Sequence, residues 1–190
     1  QKRFADYIVV DQTFVLPISN DVPPEHAAFL EPVSTAVQCV KRARIAPMED
    51  VVVIGAGTMG LLNAQVAHAF GARVIVTEVD ARKIERAGSM GFADVVDAAH
   101  EDPVEAVKRL TGGKGADCVI AAVGATAAYR QGYDMLKQSR GRLVLFPAGY
   151  PKPELHVAPN ELHYRKIEII GALRRDRIDW LDAAKLISKR

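Results

Sequence analysis

The stretch Gly55–Gly60 reads Gly-Ala-Gly-Thr-Met-Gly and matches the spacing G-x-G-x-x-G. It follows directly on the apolar run Val51–Ile54, and apolar residues of helical period come after it. A glycine loop between a buried strand and a helix presents backbone N–H groups and a helix N-terminus to an anion. The loop therefore predicts a dinucleotide pyrophosphate site. Gly55 would permit the turn, Gly57 would admit the phosphates, and Gly60 would allow close packing of the helix.

A single carboxylate, Glu78, follows the second apolar strand, 18 residues after Gly60. At this point of a dinucleotide fold, an acid accepts hydrogen bonds from the adenosine ribose. A 2′-phosphate would meet like charge there, so Glu78 predicts NAD rather than NADP, although Arg82 and Lys83 nearby would soften the discrimination. The alternative is a solvated loop carboxylate. Thr58, Val79 and Lys83 complete the cofactor contacts predicted from this region.

The elements that must position these residues alternate between strands and helices from residue 50 onward. Such alternation predicts an α/β fold of the Rossmann type, with a doubly wound parallel sheet of six strands. Asp80 and Asp102 precede two helical segments and are predicted to cap them. The predicted strands span residues 51–54, 74–76, 95–96, 118–121, 143–146 and 167–170, and predicted helices include 82–89, 126–138 and 176–188.

The first fifty residues have a different pattern. Tyr7–Val10 is predicted to be an isolated strand, and Pro23–Leu30 a short helix that Glu31 and Pro32 interrupt. A second helix follows and ends in the basic run Lys41–Arg44, which suits a helix C-terminus. A chain that opens on an isolated strand leads us to expect that an upstream part is missing.

Composition narrows the functional classes. The chain has 190 residues and a formal net charge of +2, which is too balanced to favour nucleic-acid binding. No apolar run approaches the roughly 20 residues of a membrane span, and no signal peptide is visible. Cys39 and Cys118 are the only cysteines, which excludes a disulfide framework and a four-thiolate zinc lobe. A reducing, cytoplasmic setting is predicted.

Five stretches, in order along almost the whole chain, carry a resemblance to a known family: Phe4–Val10, Ala28–Ser34, Val51–Gly60, Gly113–Ile120 and Ile169–Leu173. They resemble the cofactor-binding part of medium-chain, zinc-dependent alcohol dehydrogenases, nearest the polyol (sorbitol-like) and threonine dehydrogenase branch. Members of that family also carry a GroES-like catalytic domain with a zinc-binding cysteine and a Gly-His-Glu motif, and neither is in this sequence.

The resemblance implies a division of the chain into three parts. Residues 1–22 would be the tail of a missing catalytic domain, residues 23–48 connecting helices, and residues 49–190 the NAD-binding domain. A chain of this kind would bind the cofactor but would be inactive by itself.

The resemblance also implies catalytic roles for three residues. Glu31 would lie beside the catalytic zinc, as ligand or as partner of the bound water, but only if the missing domain is present. One carboxylate cannot hold zinc alone, so the residues by themselves predict only a helix cap. Thr35 would pack near the nicotinamide, or be an ordinary helix threonine. Arg174 would lie near the substrate, or form a solvated pair with Arg175.

Further cofactor contacts follow from the same resemblance. Met59 would pack against the nicotinamide, or fill the core. The remaining contacts lie at the carboxyl ends of later strands: Ala122, Val123 and Gly124 for adenosine, Phe146 and Ala148 for nicotinamide, and Ala172 and Arg174 for the carboxamide. Pro147 departs from the small residue common in the family, and it removes a backbone donor.

The first hypothesis is therefore an NAD-dependent oxidoreductase that transfers hydride between nicotinamide and an alcohol or polyol, with zinc in the full-length enzyme. The resemblance implies a homodimer through the edge of the sixth strand, residues 166–171. Three alternatives stay open: a zinc-free NADPH quinone or enoyl reductase of the same superfamily, a methyltransferase-like domain that binds S-adenosylmethionine, and a non-catalytic dinucleotide-binding module. Trp180 is predicted to anchor the last helix against the sheet, and both cysteines to be small buried groups.

Overall fold

The computed structural model describes residues 6–173 and 176–188, and within these ranges the backbone forms a parallel sheet of six strands. The strands are β1 (Asp50–Ile54), β2 (Arg73–Glu78), β3 (Asp94–Asp97), β4 (Cys118–Ala121), β5 (Arg142–Leu145) and β6 (Glu168–Gly171). Their order is β3-β2-β1-β4-β5-β6, and every neighbouring pair is parallel. This is the doubly wound order of a Rossmann fold, so the predicted fold is confirmed.

Helices cover both faces of the sheet. They are α1 (Pro24–Ala27), α2 (Leu30–Arg42), α3 (Thr58–Ala69), α4 (Ala81–Ser89), α5 (Pro103–Leu110), α6 (Thr126–Asp134), α7 (Pro159–Arg165) and α8 (Arg177–Ser188). The caps predicted at Asp80 and Asp102 are confirmed, because each side chain accepts the N–H groups two and three residues further on. Helix α7 has no counterpart among the predicted helices.

The central strands are buried on both faces. Val51 and Val53 pack into the layer that contains α2 and α3, whereas Val52 and Ile54 face the layer of α5 and α6. Continuous apolar strands are what this arrangement requires. Cys39 and Cys118 are also fully buried, as predicted, and burial raises the pKa of both thiols, that of Cys118 to about 12.

The strand predicted at Tyr7–Val10 is not formed. These residues have no regular secondary structure and pair with no strand in the described part of the chain, and Tyr7 and Val9 are almost fully exposed. A run of β-formers makes a strand only where a neighbour takes up its backbone hydrogen bonds. A short 3-10 helix at Gln12–Phe14, capped by Asp11, follows instead.

The predicted interruption at Glu31 and Pro32 is also wrong. Both residues lie in the first turn of α2, where a proline has no intrahelical N–H bond to lose. Phe29 occupies the N-cap position and makes no side-chain cap. Glu31 is therefore an acid in the first turn, where its negative charge interacts favourably with the helix dipole. The prediction that it caps the helix is wrong.

Helix α6 ends at Asp134, four residues before its predicted end at residue 138. Beyond it, Met135 O accepts the Ala116 N–H at 2.9 Å, and the Lys137 N–H donates to Ala116 O at 3.0 Å. The chain therefore leaves the helix to pair beside the start of β4, which periodicity alone does not reveal.

The basic end of α2 is bonded to the edge strand β6 and to the neighbouring helix α8. Arg42 Nε donates to Gly171 O at 2.7 Å, and Lys41 Nζ lies 3.1 Å from Asp179 and 2.6 Å from Asp182. These bonds hold β6 and α8 against α2. Helix α8 packs mainly on α2, and Trp180 lines a hollow together with residues of the N-terminal segment. The predicted contact of Trp180 with the sheet stays a prediction.

Arg142 forms a buried polar junction at the amino ends of the strands. Its guanidinium donates to Ala43 O at 2.6 Å, to Arg44 O at 2.7 Å and to the Glu49 carboxylate at 2.5 Å. Only 7% of Arg142 is exposed. The junction ties β5 to the segment that leads from α2 into β1, at the edge opposite to the glycine loop.

Candidate functional site

The glycine loop is tightly constrained on its inner side. Gly55 has φ +98°, a left-handed conformation that favours glycine, and its N–H donates to Thr77 O at 2.8 Å. A Cβ on Gly60 would lie 1.9 Å from the carbonyl oxygen of Gly55. Only glycine fits there, because the obstructing atom belongs to the backbone. The packing predicted for Gly55 and Gly60 is therefore present.

The outer side of the loop is open. A Cβ on Gly57 would meet nothing within 4 Å, and both Gly57 and Thr58 are exposed. Gly57 is the N-cap of α3, and its carbonyl oxygen accepts the Leu61 N–H at 2.9 Å. The N–H groups of Thr58, Met59 and Gly60 therefore have no acceptor within the helix. Together with the dipole of a 12-residue helix, they can bind a phosphate.

Glu78 lies at the end of β2 beside this loop, but its carboxylate turns inward. Oε2 accepts the N–H of Ala56 at 2.7 Å, and Oε1 accepts those of Val79 at 2.8 Å and Asp80 at 3.1 Å. The residue is 8% exposed, so the alternative of a solvated carboxylate is wrong. A carboxylate has about four acceptor positions, which leaves one for a ligand. The predictions from sequence missed these internal bonds.

The two neighbouring residues predicted as contacts are on the surface. Val79 is 64% exposed, and Lys83 is exposed on the first turn of α4, as is Arg82. Asp80 is engaged in capping that helix. The rim outside Glu78 therefore carries two cations and one apolar side chain.

The loop after β4 covers the glycine loop from the other side. Val123 Cγ2 would lie 2.5 Å from a Cβ on Gly55, and 42% of Val123 is exposed. A Cβ on Gly124 would lie 2.7 Å from Ala148 O, and one on Gly149 would lie 2.1 Å from Gly124 O. The backbones that follow β4 and β5 are thus in direct contact.

The strand ends β1, β4 and β5 are joined by hydrogen bonds in register. The Ala122 N–H donates to Ile54 O at 3.0 Å, and the Phe146 N–H donates to Ala121 O at 3.2 Å. Pro147 offers no N–H, but its carbonyl accepts the Tyr129 hydroxyl at 2.8 Å. The predicted residues after β4 and β5 therefore gather at the same edge of the sheet as the glycine loop.

The residues predicted at the end of β6 are only partly described. Ala172 is buried, and its N–H donates to Leu145 O at 3.2 Å, so that donor is engaged within the sheet. Its neighbour Gly171 has its carbonyl bonded to Arg42. Arg174, predicted as a catalytic and cofactor contact, lies outside the described residues.

The described residues do not fit a zinc ion. A zinc site needs at least three protein ligands, usually Cys, His, Asp or Glu. Among residues 6–173 and 176–188, no three such side chains are close enough to share a metal. Glu31 is the one predicted ligand. Thr35 Oγ1 donates to the carbonyl oxygen of Glu31 at 3.3 Å, which is a local helix bond.

Comparison with known proteins matches this geometry to one family. The family of zinc-binding dehydrogenases matches residues 58–189. A sorbitol dehydrogenase from Halalkalibacterium halodurans is 30% identical over 189 residues, which cover 98% of this chain and 54% of that protein. The alcohol dehydrogenase from Aeropyrum pernix superposes with a TM-score of 0.78 at 26% identity, covering 90% of this chain and 50% of its own.

A solved structure from Sinorhizobium meliloti 1021, described as a zinc-binding dehydrogenase bound to NADP, superposes with a TM-score of 0.79 at 27% identity. The superposition covers 90% of this chain and 50% of that one. The chain spans about half the length of these relatives.

Proposed function

Because the chain belongs to the zinc-binding dehydrogenase family, we propose that it is the NAD-binding part of an oxidoreductase that acts on an alcohol or polyol. The observation that carries the proposal is the glycine loop. It is closed toward the sheet at Gly60 and open at Gly57, beside the unsatisfied N–H groups of α3. The proposal includes the division of the chain that the sequence suggested, with the cofactor domain over residues 49–190.

In this proposal the nicotinamide supplies the hydride chemistry, and the chain binds and orients the dinucleotide. The first-turn amides of α3 hold the pyrophosphate, and Glu78 accepts one ribose hydroxyl. Apolar residues after the strands contact the two ends of the cofactor: Met59, Val79, Ala122, Val123, Gly124, Phe146, Ala148 and Ala172. Because the described residues hold no zinc site, the proposal gives this part of the chain no step at the alcohol.

The proposed preference for NAD rests on the charge of Glu78. A 2′-phosphate on the ribose would approach a carboxylate that has one acceptor position left and no proton to donate. Arg82 and Lys83 are exposed nearby and would reduce the penalty. The relative from Sinorhizobium meliloti was solved with NADP. The proposed preference for NAD therefore rests on Glu78 and not on membership of the family.

Titration of the purified chain with NADH and NADPH, followed by nicotinamide fluorescence and by calorimetry, tests the proposal. We expect NADH to bind about tenfold more tightly, which corresponds to ~1.4 kcal/mol and is close to the lower limit for a hydrogen bond to a charged group, about 1.5 kcal/mol. Tighter binding of NADPH would favour the quinone or enoyl reductase alternative. Binding of neither would overturn the proposal, and S-adenosylmethionine would then be tested.

We further propose a homodimer through β6. This strand is an edge of the sheet, and Ile169 is 38% exposed. The N–H groups of Glu168 and Ala172 bond toward β5, to Gly141 O and Leu145 O, so those of residues 169 and 171 point to the open edge. An edge of this kind favours pairing with a second copy.

Light scattering at high concentration is expected to give the mass of a dimer. Ile169→Lys should shift it to the monomer, because the charge would be brought into the pairing edge. Met90→Lys is the matched control, since Met90 is 40% exposed at the end of α4, on the β3 side of the sheet. A monomeric wild type, or equal loss of the dimer in both variants, would contradict the interface.

A cytoplasmic location remains part of the proposal. Both cysteines are buried free thiols, which suits a reducing compartment. Among the described residues, no helix is long and apolar enough to cross a bilayer.

A further inference from the structure

We propose that Glu78 is a positioning residue that fixes the glycine loop through the N–H of Ala56, so that it controls the affinity for any dinucleotide. This inference rests on the proposed function but differs from it in mechanism. A ribose acceptor at this place distinguishes NAD from NADP. A residue that holds the loop acts on the pyrophosphate, which both cofactors share.

Ala56 lies between two glycines, which leaves this part of the loop with great backbone freedom. Gly55 has a positive φ, and Gly57 has open space around its α-carbon. Glycine is the residue with the greatest backbone freedom, so a loop of this composition needs an external bond to keep one shape. The Oε2 atom of Glu78, 22 residues further on, provides that bond at 2.7 Å from the Ala56 nitrogen.

Successive N–H groups of the loop point in different directions. The Gly55 N–H bonds to Thr77 O, and the Ala56 N–H bonds to the side chain of Glu78. Both donors are therefore directed to the end of β2. Among the described residues the Gly57 N–H has no acceptor, which leaves it and the first turn of α3 for a ligand. Fixing Ala56 thus determines which amides face outward.

Most of the acceptor positions of the Glu78 carboxylate are already occupied. Oε1 accepts two N–H groups, from Val79 and Asp80, and Oε2 accepts one. One acceptor position remains, so Glu78 can bind one ribose hydroxyl and cannot chelate both. A carboxylate whose only role was to read the ribose would keep more of its acceptor positions free.

Side-chain length separates the two roles. Aspartate has the same charge as glutamate but is one methylene shorter. Glu78→Asp would still repel a 2′-phosphate and could still accept a ribose hydroxyl. It could not span from the end of β2 to Ala56 and also retain its bonds to Val79 and Asp80.

The test compares Glu78→Asp with wild type and with Glu85→Asp, an exposed residue of α4 that undergoes the same substitution. We expect Glu78→Asp to lower the affinities for NADH and NADPH together, by about tenfold, with their ratio unchanged. Glu85→Asp should change neither. A normal affinity for both cofactors, or a loss confined to NADH, would overturn the inference, because either result would limit Glu78 to the ribose.

Amide hydrogen exchange on the ligand-free wild type tests the same bond without any variant. The Ala56 amide should exchange far more slowly than the Gly57 amide, and Glu78→Asp should remove that protection without a similar change in the central strands. Equally fast exchange at both amides of the wild type would overturn the inference. If wild type binds neither dinucleotide, the proposed function fails, and exchange still decides whether Glu78 holds the loop.

Discussion

Gly60→Ala is expected to lower the free energy of unfolding by about 3 kcal/mol or more and to abolish dinucleotide binding. The added methyl group would lie 1.9 Å from Gly55 O and 2.9 Å from Gly55 C, so α3 would have to move away from the loop. Overpacking normally costs about 1–3 kcal/mol, and a clash with backbone lies at the upper end of that range or beyond. The better helix propensity of alanine, about 1 kcal/mol, does not offset this.

Gly57→Ala is the matched control, three residues earlier in the same motif. Its φ is −69°, which alanine adopts without strain, and its Cβ would meet nothing within 4 Å. We expect a stability loss below about 1 kcal/mol, since alanine is a slightly poorer N-cap than glycine. The methyl group would project into the open side of the loop, so the affinity for NADH should fall.

Chemical denaturation and an NADH titration on both variants check this pair. Equal stability of the Gly60→Ala and Gly57→Ala variants would show that α3 can shift away from the loop at low cost. Normal NADH affinity in Gly57→Ala would mean that the pyrophosphate does not approach at that position.

Arg142→Leu has the second large expected effect, a loss of about 3–5 kcal/mol of stability. The substitution removes the donor to two carbonyl oxygens and to Glu49, in a place where only 7% of the arginine is exposed. Removing this buried arginine is costly because the carbonyl oxygens of Ala43 and Arg44 lose their donor and the Glu49 carboxylate, 23% exposed, loses its partner. The junction lies at the amino ends of the strands, away from the glycine loop. The fraction of the Arg142→Leu variant that remains folded should therefore bind NADH normally.

Arg44→Leu provides the comparison. Arg44 Nη2 lies 2.5 Å from Glu168, but 59% and 51% of the two side chains are exposed. Exposed pairs contribute about 0–1 kcal/mol, so we expect a correspondingly small loss. Denaturant midpoints for the two variants decide the matter. Equal losses would mean that the Arg142 junction is no more important to stability than a surface pair.

The sheet was predictable from the sequence because its strands are buried on both faces. Such burial requires continuous apolar runs, and the runs at residues 51–54 and 118–121 mark β1 and β4 to within one residue. The caps at Asp80 and Asp102 were equally local, since each needs only the two amides beside it. The errors arose where a distant partner decides the outcome.

Two features show this. Tyr7–Val10 has the composition of a strand but no strand beside it. Helix α6 ends early because Ala116 pairs with the residues beyond its end. The error at Pro32 is local instead, because the first turn of a helix tolerates a proline. In the candidate site, the glycine spacing was local and predictable. The bond from Glu78 to Ala56 was not, because it joins residues 22 positions apart.

The contact between Gly124 and Gly149 would couple the two ends of a bound dinucleotide. The carbonyl oxygen of Gly124 lies 2.1 Å from the position that a Cβ on Gly149 would occupy. The loops after β4 and β5 are therefore in backbone contact, and a shift of one toward the other would displace it. In the proposed complex, one of these loops lies at the adenosine and the other at the nicotinamide. The two ends of the cofactor would thus contact two loops that move together. A displacement of the loop at the adenosine would therefore be transmitted to the loop at the nicotinamide through backbone contact alone.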